Sequence, residues 1–235
     1  MHCKMLAPAR GYSTPFIMLM IPTLFLVLTA APVTPEITPI FEVRPISEAQ
    51  RTQMQDVTWR KGCPIGFKRL REVHVGYRNP AGDAAQGLLI VHRGVAQETK
   101  RIFQELFAAG FVFEEIQPAS VHAGNDDHLM ATNTTSAFNC RRVTGGKGFS
   151  KHSYGRAIDI NPLWNPYVKG QKILPPMGAP YAKNREALQQ PGLLHPQSLP
   201  VQLFKKAGWT WGGDWKSLKD YQHVEKKAAR KKRTN

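Results

Sequence analysis

The chain has 235 residues, long enough to bury a full core and to form one domain with flanking segments. Its 32 Lys/Arg against 17 Asp/Glu give a formal net charge of +15, a field that attracts polyanions: nucleic acid, an anionic membrane or an acidic wall polymer. No helix-turn-helix, RNA-recognition or zinc-finger pattern accompanies that charge, so a sequence-specific nucleic-acid binder is not expected.

In chain order, Lys4 and Arg10 precede the apolar run FIMLMIPTLFLVLTA from Phe16 to Ala30, followed by small residues. The run is 15 residues and contains Pro22, short of the roughly 20 that span a bilayer as a helix. Residues 1–31 therefore read as an export signal, with an uncleaved N-terminal anchor as the alternative. Residues 32–58, with prolines at 32, 35, 39 and 45, read as a linker. The folded domain is expected over 59–225, followed by a basic tail over 226–235. An exported chain meets an oxidising compartment, and beyond Cys3 the two cysteines, Cys63 and Cys140, form an even pair and a candidate disulfide.

REVHVGYRN and GLLIVHR predict two strands of a hairpin separated by the turn-rich PAGDAAQG. Val95, Ala96, Ile102, Phe103, Leu106 and Phe107 recur at helical spacing, and Gly110 marks the stop. Residues 111–116 predict a strand, and the following stretch to Thr135 a polar loop. Asp126, Asp127 and His128 in that loop could be a metal cluster, although adjacent loop carboxylates are more often simply solvated. SAFNCR predicts a short strand. The Pro/Gly/Asn-rich stretch after Asn161 predicts a long surface excursion, and Val201–Ala207 a short helix ended by Gly208.

The chemistry concentrates in SKHSYGRAIDINP. Gly155 permits a tight turn, and the residues after it alternate, so a strand can bury Ile158 and Ile160 while turning Asp159 to the other face. His152 on the approaching loop can fold back beside Asp159. Imidazole and carboxylate are both zinc ligands, and a catalytic zinc takes three protein ligands and a water. A third ligand is offered in GWTWGGDWKSLKDYQHVE, where His223 stands three residues after Asp220. His152, Asp159 and His223 could hold one Zn2+ ion, with Asp220 either orienting a ligand from behind or acting as general base; taken alone, the His152 and Asp159 pair reads equally as a loop histidine and a capping aspartate. Trp209, Trp211 and Trp215 read as walls of the site. The remaining histidines, His74 and His92 among them, read as surface or satisfied core residues.

The pattern S-x-H-x-x-G-x-A-x-D, here Ser150 to Asp159, followed about sixty residues later by W-G-G-D-W-x-S-x-x-D-x-x-H, here Trp211 to His223, resembles the zinc D-alanyl-D-alanine carboxypeptidase family. That family includes the VanY-type peptidases and the L-alanyl-D-glutamate endopeptidases. The resemblance extends from about Trp59 to Glu225. It implies an α+β fold: a single compact domain with a central antiparallel sheet flanked by helices and a zinc site in a cleft on one face. It also implies zinc on His152, Asp159 and His223, Asp220 as base, and an arginine that holds substrate or oxyanion. Arg141 fits by position, with Arg142 and Arg156 as neighbours; Ser150 is a further candidate for substrate or oxyanion contact.

The activity implied is an exported peptidase acting on peptidoglycan stem peptides as a D-alanyl-D-alanine carboxypeptidase. The alternatives are an L-alanyl-D-glutamate or L,D-type peptidoglycan peptidase, or a non-catalytic wall-binding relative. Aspartate at 220, where some members carry glutamate, is like the endopeptidase branch. Electrostatic contact with wall polymer or membrane surface is expected of the basic surface and tail, and the chain is expected to be a monomer.

Overall fold

A computed structural model describes residues 37–143, 146–188 and 190–228. The segment 1–31 and most of the basic tail lie outside the described residues. So does Cys3.

Strand β1 (Glu42–Pro45) pairs antiparallel with β2 (Leu70–Arg78) and is followed by helix α1 (Glu48–Met54). Ser47 caps α1 by accepting from the Gln50 amide at 3.2 Å, and its hydroxyl donates to Glu72 at 2.7 Å. The stretch 32–58, expected as a linker, thus belongs to the folded unit from Glu42 onward. Pro45 ends an edge strand, where a missing N–H costs no ladder bond; a proline-rich composition is therefore compatible with pairing here.

β2 and β3 (Ala84–His92) form a nine-pair antiparallel hairpin closed by residues 79–83, a shorter loop than the turn residues suggest, because Ala84, Ala85 and Gln86 pair with Arg78, Tyr77 and Gly76. Helix α2 (Ala96–Ala108) stands where the periodicity predicts it, with Gly110 at φ +71° just beyond. It buries Ile102, Phe103 and Leu106 against Val73, Val75, Leu89 and Val91.

The strand expected over 111–116 shrinks to β4 (Glu115–Ile116) and an isolated bridge between Arg78 and Val112. The expected loop to Thr135 contains helix α3 (Asp126–Ala131), which Asn125 caps by accepting from the His128 amide at 3.1 Å, and β5 (Thr134–Thr135), parallel to β4. Then come β6 (Ala157–Asp159), β7 (Tyr167–Lys169), β8 (Lys172–Leu174), α4 (Leu199–Lys206), β9 (Thr210–Trp211), β10 (Lys219–Asp220) and β11 (His223–Glu225).

The fold is mixed α/β, but the expected central sheet is divided. Three antiparallel sheets of three strands, β1-β2-β3, β10-β7-β8 and β6-β11-β9, accompany the parallel pair β4-β5. Residues 136–141, expected as a strand, connect two of the sheets. Ser136 exchanges both backbone bonds with Asp159 of β6 (2.9 and 3.1 Å), and Phe138 donates to Ile90 of β3 at 3.1 Å. The segment serves one sheet with each end and therefore ladders fully with neither.

The excursion 161–192 is held inward by Arg185. Its guanidinium donates to the carbonyls of Trp164, Tyr181 and Leu194 and to Asn165 Oδ1, and it lies 4.3 Å from the Tyr221 ring centroid. Among the described residues no carboxylate pairs with it; burial moves the Arg185 pKa down to about 10, still leaving it charged at neutral pH.

Cys63 and Cys140 are joined by a disulfide, with Cα atoms 6.0 Å apart and a separation of 77 positions in sequence. Cys140 belongs to the small second core of Met54, Ile65, Leu70, Ile90 and Phe138. Closing a loop of that length restricts the unfolded chain, so reduction or C63S/C140S is expected to lower unfolding free energy by about 2–4 kcal/mol. Urea titration of the oxidised and reduced protein measures it.

Candidate metal centre

Ser150 accepts from the His152 amide at 3.3 Å and so starts the 3-10 turn Lys151–Tyr154. Gly155 ends the turn at φ +61°; a Cβ there would lie 2.6 Å from the His92 amide nitrogen, so the chain can pass this close to β3 only as glycine. β6 then buries Ile158 completely and leaves Asp159 partly accessible.

β11 runs antiparallel to β6 with His223 directly opposite Asp159. Residues opposite one another in an antiparallel pair project to the same face, so this register alone brings imidazole and carboxylate together. His223 Nδ1 lies 2.9 Å from Asp159 Oδ1. His152 Nε2 completes the group, 3.1 Å from Asp159 Oδ2 and 3.2 Å from His223 Nδ1. Ligands around a tetrahedral zinc at bond lengths of 2.0–2.1 Å stand about 3.3 Å apart, so three nitrogen and oxygen donors at these separations fit such an ion.

Each imidazole is oriented from behind. His152 Nδ1–H donates to the Ala137 carbonyl at 2.6 Å, which leaves Nε2 free for a metal. His223 Nε2 faces Glu225 Oε2 at 3.3 Å, which leaves Nδ1 free. Burial alone would lower the His223 pKa, but its hydrogen bonds to Asp159 and Glu225 outweigh burial and raise it well above the usual histidine range. Asp159 is shifted down: burial opposes the shift, and the charges and hydrogen bonds of His152 and His223 overcome it.

Asp220 lies on β10, three residues before His223. Its Oδ1 is buried with no hydrogen-bond partner. Burial, reinforced by the Asp159 charge and opposed by His223, pushes its carboxyl up to about 6. An unpartnered carboxylate oxygen with a raised pKa has the character of a general base. The W-G-G-D stretch fixes its place. A Cβ on Gly212 would lie 2.4 Å from the Asp220 carbonyl oxygen and 2.8 Å from its Cβ, and one on Gly213 would lie 2.2 Å from the Trp211 ring. Trp215 packs its ring 5.5 Å from that of His223.

Other candidates fall elsewhere. The three arginines each have a partner of their own: Arg141 pairs with Asp126, Arg142 lies 5.4 Å from the Phe149 ring centroid, and Arg156 approaches His92 Nδ1 at 3.2 Å. Ser150 is buried as a cap rather than presented to solvent. Asp126 bonds to Arg141 and Asn139; among the described residues the group that can hold a metal is His152, Asp159 and His223. A cavity of about 490 Å³ lined by Trp209, Trp211, Asp214 and Lys227 reaches the edge of the site at Trp215 and Glu225 but does not include the three ligands.

Sequence reading missed Glu225, although its signal was available: two residues after His223 on a strand, it shares that histidine's face. The Ala137 carbonyl had no signal, because a backbone acceptor is invisible in side-chain patterns.

Two outcomes are expected. Glu225→Gln weakens zinc affinity by about 10–100-fold, as loss of a carboxylate behind a ligating histidine does, with little change in Tm; competition with a chromogenic chelator measures it. Zinc uptake near pH 7 releases about one proton, because the raised His223 must give up its proton to bind, and affinity falls as pH is lowered. Calorimetry in buffers of different ionisation enthalpy counts the proton.

No curated protein and no solved structure gives a significant match to the chain. Residues 144–226 match the family model described as D-alanyl-D-alanine carboxypeptidase; this segment contains His152, Asp159, Asp220 and His223, so the family resemblance holds over the part of the chain that carries the site.

Proposed function

We propose that the chain is an exported zinc peptidase that hydrolyses peptidoglycan stem peptides, acting as a D-alanyl-D-alanine carboxypeptidase. The observation that carries this reading is the convergence of His152 Nε2, Asp159 and His223 Nδ1 within 3.2 Å of one another, with Asp220 nearby and its Oδ1 without a hydrogen-bond partner. The family match over the same segment supports it. Export rests on the apolar run from Phe16 to Ala30, which lies outside the described residues.

A zinc ion held by the three ligands would polarise the scissile carbonyl and lower the pKa of a bound water to about 7. Asp220 Oδ1 accepts the proton of the attacking water and returns it to the nitrogen of the leaving amine, a cycle that needs one carboxylate oxygen left free, as Oδ1 is here. Gly212 holds Asp220 in place by leaving no gap behind it. Arg141 would meet a substrate carboxylate by exchanging Asp126 for it, an exchange of like for like in charge.

A second reading, cleavage between L-alanine and D-glutamate, rests on aspartate rather than glutamate at 220. Mass spectrometry of muropeptides, with and without chelator, separates the two: loss of one terminal alanine marks the carboxypeptidase, and split stems mark the endopeptidase. Asp220→Asn is expected to keep its zinc and lose about 10²–10⁴ in kcat. A zinc-loaded protein that releases no amine from any muropeptide would defeat the enzymatic reading in favour of a wall-binding relative.

A further inference from the structure

Away from the metal centre, the turn after α1 and the approach to β2 border an open hollow of about 470 Å³. Its floor is apolar: Ile65 and the rings of Trp59 and Phe67, whose centroids lie 4.7 Å apart. Its rim is cationic. Lys68 and Arg69 line it, and the Arg51 guanidinium lies 5.2 Å from the Phe67 centroid.

The positive charge continues beyond the rim. The Arg93 amide bonds to the Arg69 carbonyl at 2.8 Å, which sets these two exposed arginines side by side. Behind them, burial together with the charges of Arg156, Arg69, Arg93 and Arg71 pushes His92 down to about 4, so the imidazole adds no further charge at neutral pH. Among the described residues, Arg51, Lys68, Arg69 and Arg93 make no ion pair with a carboxylate. Like charges this dense repel one another, and an external anion would relieve the repulsion.

We propose that this face is a second binding site for the substrate polymer: a neighbouring peptidoglycan strand docks here through its stem-peptide carboxylates while another stem occupies the metal centre. The inference rests on the peptidoglycan reading above. A stem-bearing glycan presents both chemistries that the face can take, sugar rings for the aromatic floor and carboxylates for the arginines. The apolar surface is a shallow, open recess with a cationic rim, across which a polymer segment can lie. The hollow is also tied to the catalytic segment: Cys63 beside it is bonded to Cys140, and Arg156 follows Gly155 in the motif that carries His152 and Asp159.

The test is cosedimentation of the full chain with purified insoluble peptidoglycan in chelator, so that binding is read without cleavage. R69E/R93E is compared with R101E/K206E, the same charge change on exposed positions of α2 and α4. R69E/R93E is expected to weaken binding about tenfold or more, R69Q/R93Q to fall between it and the parent, and R101E/K206E to stay within about twofold, all with Tm and zinc content unchanged. Equal weakening by both reversals would show net charge alone and overturn the site. So would displacement of the parent by phosphatidylglycerol vesicles or DNA at matched charge. A parent that sediments but, with zinc, cuts no muropeptide defeats the peptidase reading while the docking face stands. A parent that cuts soluble muropeptides but binds the polymer regardless of R69E/R93E defeats the docking face alone.

Discussion

The register of β6 against β11 is the constraint on which the site depends. With His223 opposite Asp159, two ligands separated by 64 residues in sequence share one face of a short ladder. A slip of one residue would send one of them to the other face, where Ile158 and Val224 are fully buried. The hydrophobic requirement that those two side chains stay inside is therefore what keeps the ligands together.

Around that ladder the chain spends hydrogen bonds on orientation. Residues 136–141 pass between β3 and β6 and deliver the Ala137 carbonyl to His152. Ser153, adjacent to His152, accepts from the Arg141 amide at 2.9 Å and donates to the Arg141 carbonyl at 2.7 Å, so the turn bearing the ligand and the connecting segment move as one. The end of β11 is held by Lys226, which donates to Glu98 of α2 at 2.6 Å and to the Ala207 carbonyl at 2.7 Å. Trp209 Nε1–H donates to the same Glu98 at 2.5 Å. A charged carboxylate here is met by an ammonium and an indole, which makes its partial burial tolerable. Arg185 does the corresponding work for the excursion, satisfying carbonyls that a surface loop would otherwise give to water.

What could be read in the sequence follows the range of the interactions involved. Helix α2 was legible because its burial pattern repeats every 3.6 residues within one segment, and the β2–β3 hairpin because its strands are long and adjacent. β1 and α1 were not, because β1 is a four-residue edge strand ending in proline whose partner lies about thirty residues away. Helix α3 has six residues and one fully buried side chain, Leu129, too little periodicity to stand out from a polar loop. The single expected sheet failed for a related reason: strands of two and three residues give no alternation from which to infer which sheet they join.

The sequence by itself determined the ligand types, their spacing and the glycines that permit the turns, since these depend on chemistry local to SKHSYGRAID and WGGDWKSLKDYQH. It also showed that Cys63 and Cys140 were the pair available to bond. Tertiary structure alone decided which nitrogen of each histidine is free, that Glu225 and the Ala137 carbonyl stand behind them, and that Arg141 is engaged by Asp126. It also gathered Arg69 and Arg93 onto one face where, among the described residues, neither makes an ion pair with a carboxylate. These are relations between segments tens of residues apart, fixed by which apolar side chains must be buried together rather than by any pattern within one stretch of chain.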